Sequence, residues 1–209
     1  MNEIFFLTEP QFQILVWLSY RTAATFAFGL PLFLLIWAKI SGLSSIDRLL
    51  SIYWKVSSIY VINLLFLSGN SQLGQLISFI SPILMVVCTW FWVDLNEEID
   101  EMFIYKPISL TTIIWRWSLF FWGILNTILH LVSWDCLNSV NSSYCNYWKE
   151  IPQNFFISIK TIIKFILGGN WTTGFATFFA YLALILYLIG LIQWLIIQLP
   201  KNGRFAGKF

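Results

Sequence analysis

The chain has 209 residues, 58% of them hydrophobic and only 11% charged, with a mean hydropathy of +0.76. An average soluble domain carries roughly 25% charged residues, so this composition excludes that class and points to an integral membrane protein. The formal net charge of +2, scattered along the chain, excludes a nucleic-acid interface built on a basic face.

No removable targeting segment is read at the start. MNEIFFLTEP carries acidic residues where a signal peptide has basic ones, and no small-residue cleavage site follows its apolar run. A membrane-crossing helix needs about 20 mainly apolar residues, and five stretches qualify. The first, residues 21–38, contains Pro31, which removes a backbone hydrogen bond and should kink the helix. The second, residues 46–67, carries Lys55 and, deeper, Asn63. The third, residues 76–93, holds Pro82 and Cys88, the latter read as a small buried hydrophobe. The fourth, residues 109–134, is interrupted by Arg116, Asn126 and His130, whereas the fifth, residues 171–199, has no charge at all.

Between the last two spans lies a loop, residues 135–152, whose Cys136 and Cys145 are close enough in sequence for a disulfide in an oxidising compartment. Residues 154–168 then set Lys160 and Lys164 four positions apart among Phe, Ile and Leu. That is the pattern of an amphipathic helix lying in the interface plane, with a short sixth crossing as the alternative. The expected fold is all-α: one polytopic membrane domain of about five transmembrane helices plus one interfacial helix.

Lys and Arg flanking the spans are retained on the cytoplasmic side, and five spans put the termini on opposite faces. With the tail PKNGRFAGKF inside, Lys39, Arg48, Lys55, Lys106, Arg116, Lys201, Arg204 and Lys208 fall on or toward that side, against Arg21, Lys149, Lys160 and Lys164 outside. The expected orientation is therefore N-terminus outside or lumenal and C-terminus cytoplasmic or stromal, with the two-cysteine loop facing outward.

TWFWVDLNEEID, residues 89–100, sets carboxylates beside large rings. If the third span continues as helix past the membrane surface, Asp94, Glu97, Glu98 and Glu101 fall at i, i+3, i+4 and i+7 on one stripe, with Trp90 one turn back. Stacked acids repel by a few tenths of a kcal/mol per pair, which a positive neighbour would relieve. One such neighbour is Arg116, costly inside the fourth span unless paired, which Asp94 could meet. Another is a basic patch on a partner, docking on Trp90, Trp92, Asp94, Asn96, Glu97, Glu98, Asp100 and Glu101. A divalent metal or acid–base site at Glu97 and Glu98 is the third reading; it lacks a second signature, since the single His belongs to the opposite face and no Glu-x-x-His pair exists. No catalytic motif and no metal site are assigned.

His130 either hydrogen-bonds Asp135 at the interface or ligates the metal of a chlorophyll or haem among Trp115, Trp117, Trp122 and Trp134. The aromatic share of 19% suits interface belts and also flat cofactors, so chlorophyll and carotenoid stay open as cofactors. Asn63, Arg116 and Asn126 would line the polar path of a small transporter or channel, although scattered intramembrane amides more often tie helices together.

RLLSIYWKVSSI (48–59), WFWVDLNEEID (90–100) and WRWSLFFW (115–122) resemble segments of a family of small integral membrane proteins from cyanobacteria and photosynthetic plastids, catalogued only as a domain of unknown function. The resemblance covers about residues 21–199. It implies a thylakoid or plasma-membrane location, other integral membrane subunits and lipid as partners, and no reaction. The expectation is a non-enzymatic protein that associates with, or assists assembly of, a photosynthetic membrane complex.

Overall fold

Inside hydrocarbon every backbone N–H and C=O must find a partner within the protein, which leaves helices as the way for apolar segments of this length to cross. The computed structural model describes residues 9–69, 71–101, 107–137, 143–167 and 172–202, and among these the regular elements are helices only. Five are long and apolar enough to cross a membrane: Pro10–Ser41, Ser44–Ser68, Gln72–Trp90, Pro107–Val132 and Thr173–Trp194. The chain is an all-α, polytopic integral membrane protein.

The first span is longer than residues 21–38. It comprises α1 (Glu9–Thr22), a π-helical turn (Ala23–Gly29) and α2 (Leu30–Ser41). Gln11, Gln13 and Arg21 interrupt the apolar run in sequence, yet Phe12, Val16 and Ser19 on the other face of α1 are buried. The disturbance expected at Pro31 takes the form of the π turn. Leu30 N–H donates to the Thr25 carbonyl, five residues back, and Pro31 has no N–H to give. The Phe26 and Ala27 carbonyls thereby lose their helical donors. Side chains from two other helices replace them: Trp115 Nε1 donates to Phe26 O at 2.8 Å and Tyr53 Oη to Ala27 O at 2.7 Å.

Those two rings belong to α6 (Pro107–Val132) and α3 (Ser44–Ser68). They meet edge to face at 5.0 Å in a core shared with Leu49, Met85, Leu119 and Trp122. Helix α3 is central, packing on α2, α4 (Gln72–Trp90), α7 (Ser143–Leu167) and α8 (Thr173–Asn202). Its approach to α4 is set by Gly74, where a Cβ would stand 3.1 Å from Leu67 N. Helix α8 leans on α3 alone among its strong neighbours, through Phe66 against Tyr181 and a hydrogen bond from Tyr187 Oη to Val56 O at 3.2 Å.

The residues expected as an outward loop are largely helical, because α7 begins at Ser143 and accommodates Pro152 in its interior. A disulfide joins Cys136, in a short 3-10 turn (Trp134–Leu137), to Cys145 in the first turn of α7. Trp148 Nε1 donates to Ser133 Oγ at 3.0 Å and Tyr20 Oη to Trp148 O at 2.9 Å, so α7 starts across the ends of α6 and α1. Helix α8 starts at that same disulfide end, where Thr177 abuts Gly69 at the close of α3. Helix α7 is not among the five described helices long and apolar enough to cross a membrane, and Lys160 and Lys164 on it are exposed. Lys106, Arg204 and Lys208 lie outside the described residues.

Candidate functional site

The third span does not continue into the acidic segment, contrary to the single-helix expectation. Helix α4 ends at Trp90, Trp92 is extended (φ −87°, ψ 113°), and a separate helix α5 runs Val93–Asp100. The reason lies in the Trp92 side chain. It is 2% exposed, with its ring against Phe91 at 5.1 Å and Trp194 at 5.6 Å, so the chain turns out of the helix to place the indole in the core. Trp92 is therefore a packing residue and not part of a partner-facing surface, and Trp90 does not extend a stripe with the acids.

After the break, Leu95 and Ile99 at i and i+4 are fully buried and seat α5 across the end of the bundle, against α3. Glu97, Asp100 and Glu101 on the other side are exposed, and Asp94 is half-buried. Two clamps hold this helix. At the first, Arg116 donates to Thr89 O at 2.9 Å and to Asn96 Oδ1 at 2.5 Å, while its guanidinium lies 3.9 Å from the centre of the Trp90 ring. Asn96 Nδ2 in turn donates to Trp90 O at 3.0 Å. The Arg116 cation thus meets the Thr89 carbonyl at the C-terminal end of α4, where the helix dipole favours positive charge. The expected Asp94–Arg116 pair is replaced by this arrangement, because the turn at Trp92 presents Asn96 to α6.

At the second clamp, Glu98 accepts from Ser45 Oγ and from Arg48 Nη2 at 2.6 Å, both from the first turns of α3. These two hydrogen bonds hold the Glu98 carboxyl below its usual pKa. Sequence reading singled out Glu98 but not Ser45, Arg48 or Thr89; the signal for Arg48 was a cation in the first turns of a span facing the same side as the acids. Of the proposed docking set, Asn96 and Glu98 are tied to the protein, Asp94 is half-buried, and Glu97, Asp100 and Glu101 form the water side, with Trp90 at the rim (38% exposed, against Trp117 at 5.6 Å). Glu97 is exposed while Glu98 is held by Ser45 and Arg48, and among the described residues no three His, Cys, Asp or Glu side chains converge on one point.

Asn63, Arg116 and Asn126 are buried in three separate ties. Asn63 Nδ2 donates to Ser78 Oγ at 2.6 Å, joining α3 to α4. Asn126 accepts from Ser19 Oγ at 2.6 Å and donates to Trp122 O at 3.0 Å, joining α6 to α1. Asn63 and Asn126 each tie two neighbouring helices, and Asn63 Oδ1 and Arg116 Nε are buried without a hydrogen-bond partner. His130 is buried and stacks on Trp148, ring centres 3.9 Å apart and 16° from parallel, a partner from α7 that the sequence did not suggest. The space beside it, among Gln75, Phe79, Trp134 and Cys136, is about 10 Å³, far below the roughly 300 Å³ at which ligand pockets begin. A macrocycle ligated there would have to displace Trp148. The Asp135 side chain, the other suggested partner of His130, lies outside the described residues.

No curated protein and no solved structure matches the chain. A family match, described as protein of unknown function (DUF3177), extends over residues 13–207. Covering both clamps, the disulfide, four of the five spans whole and the first from residue 13 on, that match makes the chain a member of the DUF3177 family.

Proposed function

We propose that this protein is a non-enzymatic membrane component that associates with, or assists assembly of, a photosynthetic membrane complex by docking a basic surface on α5. The observation that carries the reading is the clamped acidic helix itself: two apolar side chains and two polar ties hold α5, while Glu97, Asp100 and Glu101 stand in water. A helix ordered in advance costs a partner little conformational entropy, and clustered charge of one sign speeds and orients encounter. The photosynthetic setting comes from the resemblance of the three segments quoted above. The same resemblance supports a thylakoid or plasma membrane of an oxygenic phototroph.

The orientation belongs to the proposal. Eight cations against four favour the acidic end inside, with the C-terminus, and the disulfide end on the oxidising side. The acidic helix then faces the cytoplasm or stroma, where a soluble or membrane-bound basic surface can reach it.

The test is purification of a tagged copy in mild detergent from a phototrophic host, beside the triple variant Glu97→Lys/Asp100→Lys/Glu101→Lys. Photosynthetic subunits should accompany the native chain, leave as salt rises, and be lost from the variant while its helical content is unchanged. Recovery of the native chain without any photosynthetic subunit or pigment would refute the reading.

A further inference from the structure

Three polar side chains line one small space at the disulfide end of the bundle. Gln75 comes from the first turn of α4, His130 from the last turn of α6, and Ser133 from just beyond it; Phe79, Trp134 and Cys136 complete the lining. The three polar residues are buried, with exposures of 5% for Gln75, 7% for His130 and 6% for Ser133. Around them the Phe79 and Trp134 rings meet edge to face at 5.4 Å, and His130 stacks on Trp148. Gln75 Nε2 has no hydrogen-bond partner. Ser133 Oγ donates to Leu129 O at 2.9 Å and accepts from Trp148 Nε1 at 3.0 Å; a hydroxyl oxygen has two lone pairs, so one acceptor position is left. The stack on Trp148 covers a face of the His130 ring and leaves the edge, where both nitrogens sit, to other partners.

We propose that this space holds one buried water molecule, which bridges the Gln75 amide to His130 and Ser133 and so ties α4 to α6 beside the disulfide. The room open to a water's centre is about 10 Å³, at the roughly 10–15 Å³ that a single water needs and far below the size of an organic ligand. Buried waters typically make about three hydrogen bonds to groups otherwise unanswered, which is the number of polar side chains gathered here.

The chemistry of the lining selects water over an ion. Amide, neutral imidazole and hydroxyl each both donate and accept, and among the described residues no charged side chain lines the space. Water has the same two capacities, so it serves the Gln75 amide whichever of its two ends faces inward. Without it, an amide set among aromatic rings would have given up its hydration and gained nothing in return, a cost that buried polar groups in folded proteins rarely carry.

Two measurements on the full chain in bicelles test the site. In the first, the side-chain amide protons of Gln75, assigned through backbone connectivities along α4, should show NMR cross-peaks to water whose NOE and ROE have opposite signs. That pattern marks a water held longer than the tumbling of the particle; passing surface water gives like signs or no NOE. The second is unfolding of Gln75→Met, a change that keeps side-chain length and helix propensity and removes the amide. With the bridge present, the variant loses one hydrogen bond and leaves the water short of a partner, and the unfolding constant should rise about fivefold or more. An amide that binds no water would be replaced at no cost or at a gain. No long-lived water at Gln75, or an unfolding constant unchanged or lowered in Gln75→Met, would each overturn the proposal. Should the variant fail to fold, the water signal of the native chain decides. The site lies at the opposite end of the bundle from α5, so its result and the docking result are read independently.

Discussion

Removing one oxygen atom, in Tyr53→Phe, probes how the first span tolerates Pro31. The hydroxyl is buried and caps the Ala27 carbonyl at 2.7 Å, a carbonyl that has no donor at residue 31 to fall back on. Interhelical hydrogen bonds in membranes average about 0.6 kcal/mol and reach about 1.7, while an unsatisfied buried acceptor costs about 1–3 kcal/mol. The loss expected here is about 1.5 kcal/mol, near the top of the first range because no helical bond replaces the one removed. In a Pro31→Ala background the restored N–H can serve Ala27 O, and the same Tyr53→Phe change should cost about 0.5 kcal/mol or less. The coupling of about 1 kcal/mol is measured as a double-mutant cycle by unfolding in bicelles, where non-interacting sites add to within about 0.3–0.5 kcal/mol. Equal costs in the two backgrounds would refute the assignment of Tyr53 as a substitute donor.

Three further outcomes follow from the ends of the bundle. Arg116→Met should speed amide exchange in α5 about tenfold or more, in line with about 1.5–3 kcal/mol for hydrogen bonds to a charged group, while α3 and α4 keep their protection; Arg116→Lys should restore it only in part, since one ammonium cannot reproduce the planar fork. Glu98 has a folded pKa below its unfolded one, so its contribution is present above the unfolded carboxylate range and is lost as pH falls through the folded value; protection of α5, corrected for the intrinsic exchange rate at each pH, should fall on acidification there, and Glu98→Gln should remove that component. Its side chain is 42% exposed, so the change in exchange should be small. Cys136→Ser/Cys145→Ser opens a short loop, with a sequence separation of 9, and should cost roughly 2.5 kcal/mol by loop-closure entropy, read as loss of exchange protection in the first turns of α7 with α8 unaffected. Non-reducing mass spectrometry of the peptide that spans the two cysteines checks the bridge directly.

Apolar runs of about 20 residues, interrupted by few charges, determined the membrane class and the five crossings without reference to any contact, because the cost of desolvating a backbone is local to each segment. The pairing of Cys136 with Cys145 and the exposure of Lys160 and Lys164 were likewise legible from spacing. What only the tertiary structure decided is where a helix stops when packing overrides periodicity. The i, i+3, i+4, i+7 spacing of the acids reads equally well as a continuation of α4 or as a new helix; burial of the Trp92 ring against Trp194, about a hundred residues away, selects the second. The same holds for Arg116, which takes Asn96 and the end of α4 in place of Asp94, and for Pro31, whose missing donor becomes harmless only because Tyr53 and Trp115 arrive from other helices. Periodicity reports which face of a segment avoids water, and the choice among partners on that face is made by long-range contacts that no local pattern encodes.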